Sequence, residues 1–162
     1  MAEPEVTYYC ERSDVEAVYG LSNVAKWADL DNDGDTEKIE ARITKALAWA
    51  QEEIDSYFRG GRYALPLVKD DDPPMIILDV AAELAGVWLY ENRGVVDFSP
   101  ESGQPVHRLS WNRKRAYAKI KEIVSGQRVI DADPAVEGSD DPVPKAVRER
   151  HRHHGDDPFS VR

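Results

Sequence analysis

The chain has 162 residues, 41% of them apolar and 32% charged, and a formal net charge of −10. That length suits one domain with a modest core plus a tail, and the acidic balance excludes nonspecific wrapping of nucleic acid, which needs clustered Lys and Arg. Cys10 is the single cysteine, so an internal disulfide is excluded and assembly in a reducing compartment is expected. No apolar run approaches the roughly 20 residues that cross a bilayer. The start, Met-Ala-Glu-Pro-Glu, lacks the basic and apolar regions of a signal peptide, so a cytoplasmic product is expected.

In chain order, residues 2 to 12 read as extended, with Val6, Tyr8 and Tyr9 available for docking. Ser13-Asp14-Val15-Glu16 predicts a helix start, with Ser13 as cap and Glu16 at the capping-box position, and Gly20 ends that helix. Ser22 opens a second short helix through Trp27, whose apolar side is Leu21, Val24 and Trp27. The acidic turn Asp29-Leu30-Asp31-Asn32-Asp33-Gly34-Asp35 follows. From Ile39 onward, Ile43, Leu47, Ala50, Ile54 and Phe58 recur every three or four positions and predict one long amphipathic helix. Thr36 or Asp35 caps it and Gly60-Gly61 ends it. A helix of about 24 residues is about 36 Å long and buries such a stripe only against other helices.

The run Gly61-Arg62-Tyr63-Ala64-Leu65-Pro66-Leu67 reads as extended, and Pro73-Pro74 forbids a helix through them. Pro74 can start the next helix, Met75 to about Arg93, the most apolar in the chain. Ile76, Ile77, Val80, Ala81, Leu84, Ala85, Trp88 and Leu89 cover a wide arc, and Ala82, Ala85 and Gly86 admit a close neighbour. Residues 95 to 107 read as a surface loop. A last helix runs from about Leu109 to Val124, with Leu109, Ala116, Tyr117, Ile120, Ile123 and Val124 inward and Arg113, Lys114, Arg115, Lys119 and Lys121 on its other face. Gly126 stops it, and Val129-Ile130 form a short strand or packed extension. These elements predict a mainly α fold: a bundle of about four helices, two short and two or three long, over residues 1–130. Residues 131–162 are acidic, then basic, and too poor in apolar residues to fold on their own core. They are expected to form a non-globular tail ordered by partner chains.

The acidic turn fits the calcium-loop pattern D-x-[DN]-x-[DN]-G-x5-E. Asp29, Asp31 and Asp33 would fill the first ligand positions, Asp35 would offer its carbonyl, Glu37 would act through water, and Glu40 would chelate with both oxygens. The alternative is an acidic turn that caps the long helix, where carboxylates are favourable in any case. His151, His153 and His154 read as part of a solvated basic tail, and His107 as a loop residue with local hydrogen bonds. The face from Arg108 to Lys121 lacks the interleaved aromatics of a nucleic-acid surface and is expected to meet acidic neighbouring chains. Candidate partner contacts are Arg113, Lys114 and Arg115 on that helix, and Lys145, Arg148, Arg150, Arg152 and Phe159 in the tail. Trp49 and Trp111 are candidate contact aromatics, with partial burial in the core as the alternative. No nucleophile elbow, phosphate-cradling glycine loop or zinc spacing is present, so no enzymatic role and no cofactor are expected.

The order of these signals, above all Glu53-Ile54-Asp55-Ser56-Tyr57-Phe58-Arg59-Gly60-Gly61-Arg62-Tyr63-Ala64-Leu65-Pro66-Leu67, resembles the phage Mu-like family grouped with head-tail connector (adaptor, head-completion) proteins of tailed bacteriophages. The resemblance covers about residues 6 to 130. It implies a virion protein of the neck, assembled in the host cytoplasm. Such a protein forms a homo-oligomeric ring (a dodecamer) between the portal protein and a stopper or tail-completion protein, with no membrane contact. Double-stranded DNA passes through the ring without sequence-specific binding, and a carboxy-terminal segment reaches the portal. A calcium-binding EF-hand-like regulatory module is the alternative function. A DNA-binding accessory protein is a third reading, opposed by the net charge.

Overall fold

A computed structural model of the chain describes residues 8–135 apart from Pro100 and Pro105. Five helices and, among these residues, no strand make up the fold: α1 (Arg12–Tyr19), α2 (Leu21–Ala28), α3 (Thr36–Phe58), α4 (Met75–Glu91) and α5 (Ser110–Val124). The central element is α4, which packs against each of the other four. Its sequence is apolar nearly all round, and a helix of that kind is stable only when enclosed. Ile77, Val80, Leu84, Val87 and Leu89 are fully buried. Ile43, Ile54 and Phe58 of the α3 stripe, with Leu47 and Ala50, close one side of it. Full burial of each large side chain contributes roughly 1.5–3 kcal/mol of transfer free energy.

Contacts between helix termini fix the directions. Arg42, near the start of α3, donates to the carbonyl of Asn92, just past the end of α4. Arg113, near the start of α5, pairs with Glu91 at the end of α4. So α3 and α5 each run antiparallel to α4. Arg62, just beyond α3, donates to the carbonyl of Ile123 at the end of α5 (2.7 Å). The bundle therefore has two ends. One holds residues 57–75 and 123–135; the other holds the acidic turn, residues 91–109 and the start of α5.

Several boundaries differ from the sequence expectation. The cap of α1 is Glu11, whose N–H donates to Asp14 (2.7 Å), and neither Ser13 nor Glu16 caps. The Glu16 carboxylate is paired with Arg12 instead (2.6 Å). Gly20, at φ +86°, both ends α1 and caps α2, which leaves Ser22 inside the second helix and turns Leu21 outward. In place of Leu21 the buried side of α2 is Val24 and Ala28. Asp35 caps α3 by accepting from the N–H groups of Glu37 and Lys38. The fourth helix stops at Glu91, two residues before Arg93. Leu109 is the cap of α5, and Val124, expected inward, is exposed.

The extended run after α3 finds its partner at the start of the acidic segment. Tyr63 lies opposite Pro134, and Ala64 N–H donates to the Asp133 carbonyl (2.8 Å). Asp133 N–H donates to the Val68 carbonyl and Ala135 N–H to that of Arg62, both at 3.0 Å. Residues 131–135 are thus laid onto the bundle, while Ile130 is buried and Val129 exposed.

Candidate partner-binding surfaces

The acidic turn is closed by its own backbone donors. The Asp29 carboxylate accepts from Asp33 N–H (3.2 Å) and Gly34 N–H (3.1 Å), and Asp33 accepts from Asp35 N–H (3.0 Å). Gly34 sits at φ +69° with open space where a Cβ would stand, so it serves the turn by conformation and not by close approach. The Lys38 ammonium reaches back from the first turn of α3 to Asp31 (3.0 Å) and Asp33 (2.6 Å). Those bonds hold the Asp33 carboxyl below its usual range, the Lys38 hydrogen bond being the largest cause, and hold the Lys38 pKa up. Asp35 is the helix cap, and Glu40 pairs with Arg12. Five of the six residues of the calcium pattern, all but Glu37, are therefore directed to backbone donors, Lys38 or Arg12. Among the described residues no three His, Cys, Asp or Glu side chains stand as a metal-holding group.

The basic face of α5 divides in two. Arg113 pairs with Glu91, and Arg115 (2.7 Å) and Lys119 (3.2 Å) converge on Glu83. Arg108, before the helix, lies 3.6 Å from Asp97. These cations hold α5 and its loop to α4. Lys114 and Lys121 are exposed and make no ion pair among the described residues. Trp111 is 71% exposed on the same helix. Trp49, by contrast, is half-buried, its ring 6.5 Å from that of Trp88. Further exposed apolar side chains, Val95, Val96, Phe98 and Val106, stand on the loop between α4 and α5. Val95, Val96 and Val106 edge a cleft of about 180 Å³ also lined by Tyr90, Arg93, His107 and Arg113. Lys145, Arg148, Arg150, Arg152 and Phe159, with His151, His153 and His154, lie outside the described residues.

Two arrangements went unread in the sequence. Glu83, 5% exposed, is the one buried charged residue among those described, and its neutralisation by Arg115 and Lys119 explains why α5 is so basic on its inner flank. A glutamate in the middle of the most apolar helix, facing a helix rich in cations, was the available signal. Tyr9, expected to be free for docking, is buried: its hydroxyl donates to Asp55 and accepts from Leu67 N–H (2.7 Å). Burial raises the Asp55 carboxyl pKa, opposed by the Tyr9 hydrogen bond. Cys10 beside it is buried, which pushes its thiol up to about 12 and makes it a poor nucleophile at neutral pH.

Residues 9–148 match the family described as Bacteriophage Mu, Gp36. No curated protein matches the chain at a significant level. The family match runs past the limit near residue 130 set by the sequence resemblance and takes in the first part of the acidic segment.

Proposed function

The chain belongs to the bacteriophage Mu Gp36 family, and from that premise we propose that it is a structural virion protein, a head-tail connector or adaptor. In this reading it catalyses no reaction. Copies of it form a ring between the portal and a stopper or tail-completion protein in the virion neck, after assembly in the host cytoplasm, and double-stranded DNA passes through the ring. The observation that carries the reading is the family match over residues 9–148, which spans the bundle and continues beyond it.

Three physical features support it. A net charge of −10 suits a conduit along which DNA must slide without adhering. The inner cations of α5 brace the bundle, while Trp111, Lys114 and Lys121 remain on its outside for another chain. The laying of residues 131–135 against residues 62–69 starts the rest of the segment from a fixed point on the bundle end. There it is available to a larger neighbour.

Electron microscopy of the full chain mixed with the portal protein of its phage tests this. Rings seated on the portal are expected. Truncation after Ala135, which keeps the hydrogen bonds of residues 131–135, is expected to leave thermal unfolding unchanged and to abolish portal binding. A full chain that never joins the portal, or a purified chain that turns over a substrate, overturns the proposal.

A further inference from the structure

We propose that the outer stripe of α5 is the docking face for the Asp70–Asp72 turn of a second copy of this chain. The inference rests on the connector reading above and names the contact between neighbouring copies. On a 3.6-residue helix Trp111, Lys114, Ala118, Lys121 and Ser125 fall on one side, and all five are exposed. Seven residues separate the two lysines, so their stems leave the helix about 10 Å apart. Ala118 leaves a shallow gap between them. Arg113 pairs with Glu91 and both Arg115 and Lys119 are drawn to Glu83 of α4, so Lys114 and Lys121 are the cations of this helix in no ion pair among the described residues. A large exposed aromatic beside two ammonium groups in no ion pair among the described residues has the composition of an interface anchor.

The complementary surface is at the other end of the bundle. Lys69 and Asp72 close a tight turn by reciprocal backbone hydrogen bonds of 2.8 and 3.0 Å. The turn carries Asp70, Asp71 and Asp72, all exposed and in no ion pair among the described residues. Met75 follows at 72% exposure. Three carboxylates beside an exposed thioether match, in sign and kind, two ammonium groups beside an exposed indole, and sulfur contacts with aromatic rings are favourable. One copy cannot make this contact with itself. Met75 starts α4, whereas Trp111 lies near its end through the Arg113–Glu91 pair, and 17 helical residues separate those ends by about 25 Å. The contact is therefore heterologous, and its repetition closes a ring or extends a filament.

Charge exchange tests the pairing with the full chain. One variant carries Lys114→Glu and Lys121→Glu. The other carries Asp70→Asn, Asp71→Asn and Asp72→Lys, the asparagines tolerating the positive φ of 52° and 70° at those positions. Self-association is read by sedimentation velocity at low salt, with zero-length carbodiimide cross-linking to capture weak contacts. Each variant alone is expected to associate roughly tenfold or more weakly than the wild type. An equimolar mixture is expected to recover, because every junction then pairs opposite charges. In the wild type, cross-links are expected from Lys114 or Lys121 to residues 70–72. Association that survives both reversals, a mixture that fails to recover, or wild-type cross-links confined to other faces overturns the pairing and leaves the connector reading standing. So does binding of double-stranded DNA that the lysine variant loses while still assembling. A wild-type chain that forms no oligomer, alone or with portal, overturns both.

Discussion

Where α3 stops and α4 starts, two tyrosine hydroxyls reach across the bundle to backbone N–H groups: Tyr9 to Leu67 (2.7 Å) and Tyr63 to Ile130 (3.2 Å), both buried. Where α3 starts and α4 stops, the links are an aromatic run and a set of ion pairs open to water. The rings of Tyr19 and Trp27 lie 5.5 Å apart, those of Trp27 and Tyr90 5.2 Å, and Arg93 covers the outer face of Tyr90. Beyond them are Lys38 with Asp31 and Asp33, and Arg12 with Glu40. A buried hydrogen bond to a backbone donor is costly to leave unmade, whereas an exposed ion pair is worth little. One end is therefore fixed by groups that have no alternative partner. The other is fixed by ring packing, with charges that water could equally satisfy.

The largest effect that would break this contrast lies in the ring packing. Gly86 lets the Tyr19 ring approach α4 closely: a Cβ there would stand 2.1 Å from Tyr19 Cε2. Alanine gains about 1 kcal/mol of helix propensity over glycine, but overpacking costs about 1–3 kcal/mol and sometimes more. Because the clash is far inside van der Waals contact, Gly86→Ala is expected to lower stability by about 2 kcal/mol or more, measured by chemical denaturation. A neutral or stabilising result would mean the open end repacks freely. At the closed end, Tyr9→Phe leaves Leu67 N–H without a partner in the core and is expected to cost about 1–3 kcal/mol. An unchanged midpoint there would show that water reaches the site and that the two ends differ less than their burial implies.

Asp55 sharpens the same comparison through pH. Its folded pKa is raised, chiefly by desolvation, so the fold disfavours the ionised form and binds protons more readily than the unfolded chain does. The resulting cost is fully present above the folded pKa and fades as pH falls toward the unfolded value of about 3.9. Asp55→Asn keeps an oxygen for the Tyr9 hydroxyl and removes the charge. At neutral pH the variant is expected to equal or exceed the wild type in stability, and its advantage is expected to shrink as pH is lowered. An advantage that grows on acidification would reverse the assignment.

What was legible in the sequence followed helical periodicity. The α3 stripe, the enclosed α4 and the inward residues Ala116, Ile120 and Ile123 of α5 all stand where their spacing put them. The capping of α1 was misread because Ser13-x-x-Glu16 and Glu11-x-x-Asp14 overlap by two residues, and the pairing of Glu16 with Arg12 one turn earlier chose between them. Tyr9 and Tyr63 were opaque because their partners are backbone donors 58 and 67 residues away. No local pattern encodes such a contact. For the α5 cations the sequence showed that they share a helix, but only the positions of Glu83 and Glu91 separate bracing cations from free ones.

The smallest expected effect concerns the acidic turn, where sequence pattern and geometry part most clearly. A calcium loop needs its side-chain oxygens turned inward onto one ion. Here Asp29 accepts from the turn's own N–H groups, Glu40 is held by Arg12, and Lys38 supplies the positive charge between Asp31 and Asp33. If the ammonium does the work of a cation, millimolar calcium should leave the melting temperature unchanged, because an ion must first displace Lys38. Lys38→Met would then be the informative variant. It should cause only a slight loss of stability, since all three groups are exposed, and it should reduce the acid sensitivity that the lowered Asp33 pKa confers, leaving the part due to the Asp35 N–H. That sensitivity has a definite sign: a depressed carboxyl stabilises above its unfolded pKa and loses the contribution as pH falls through the folded one. Calcium-dependent stabilisation of the wild type would instead show that the turn rearranges around the ion, and the open end would then be a regulated one.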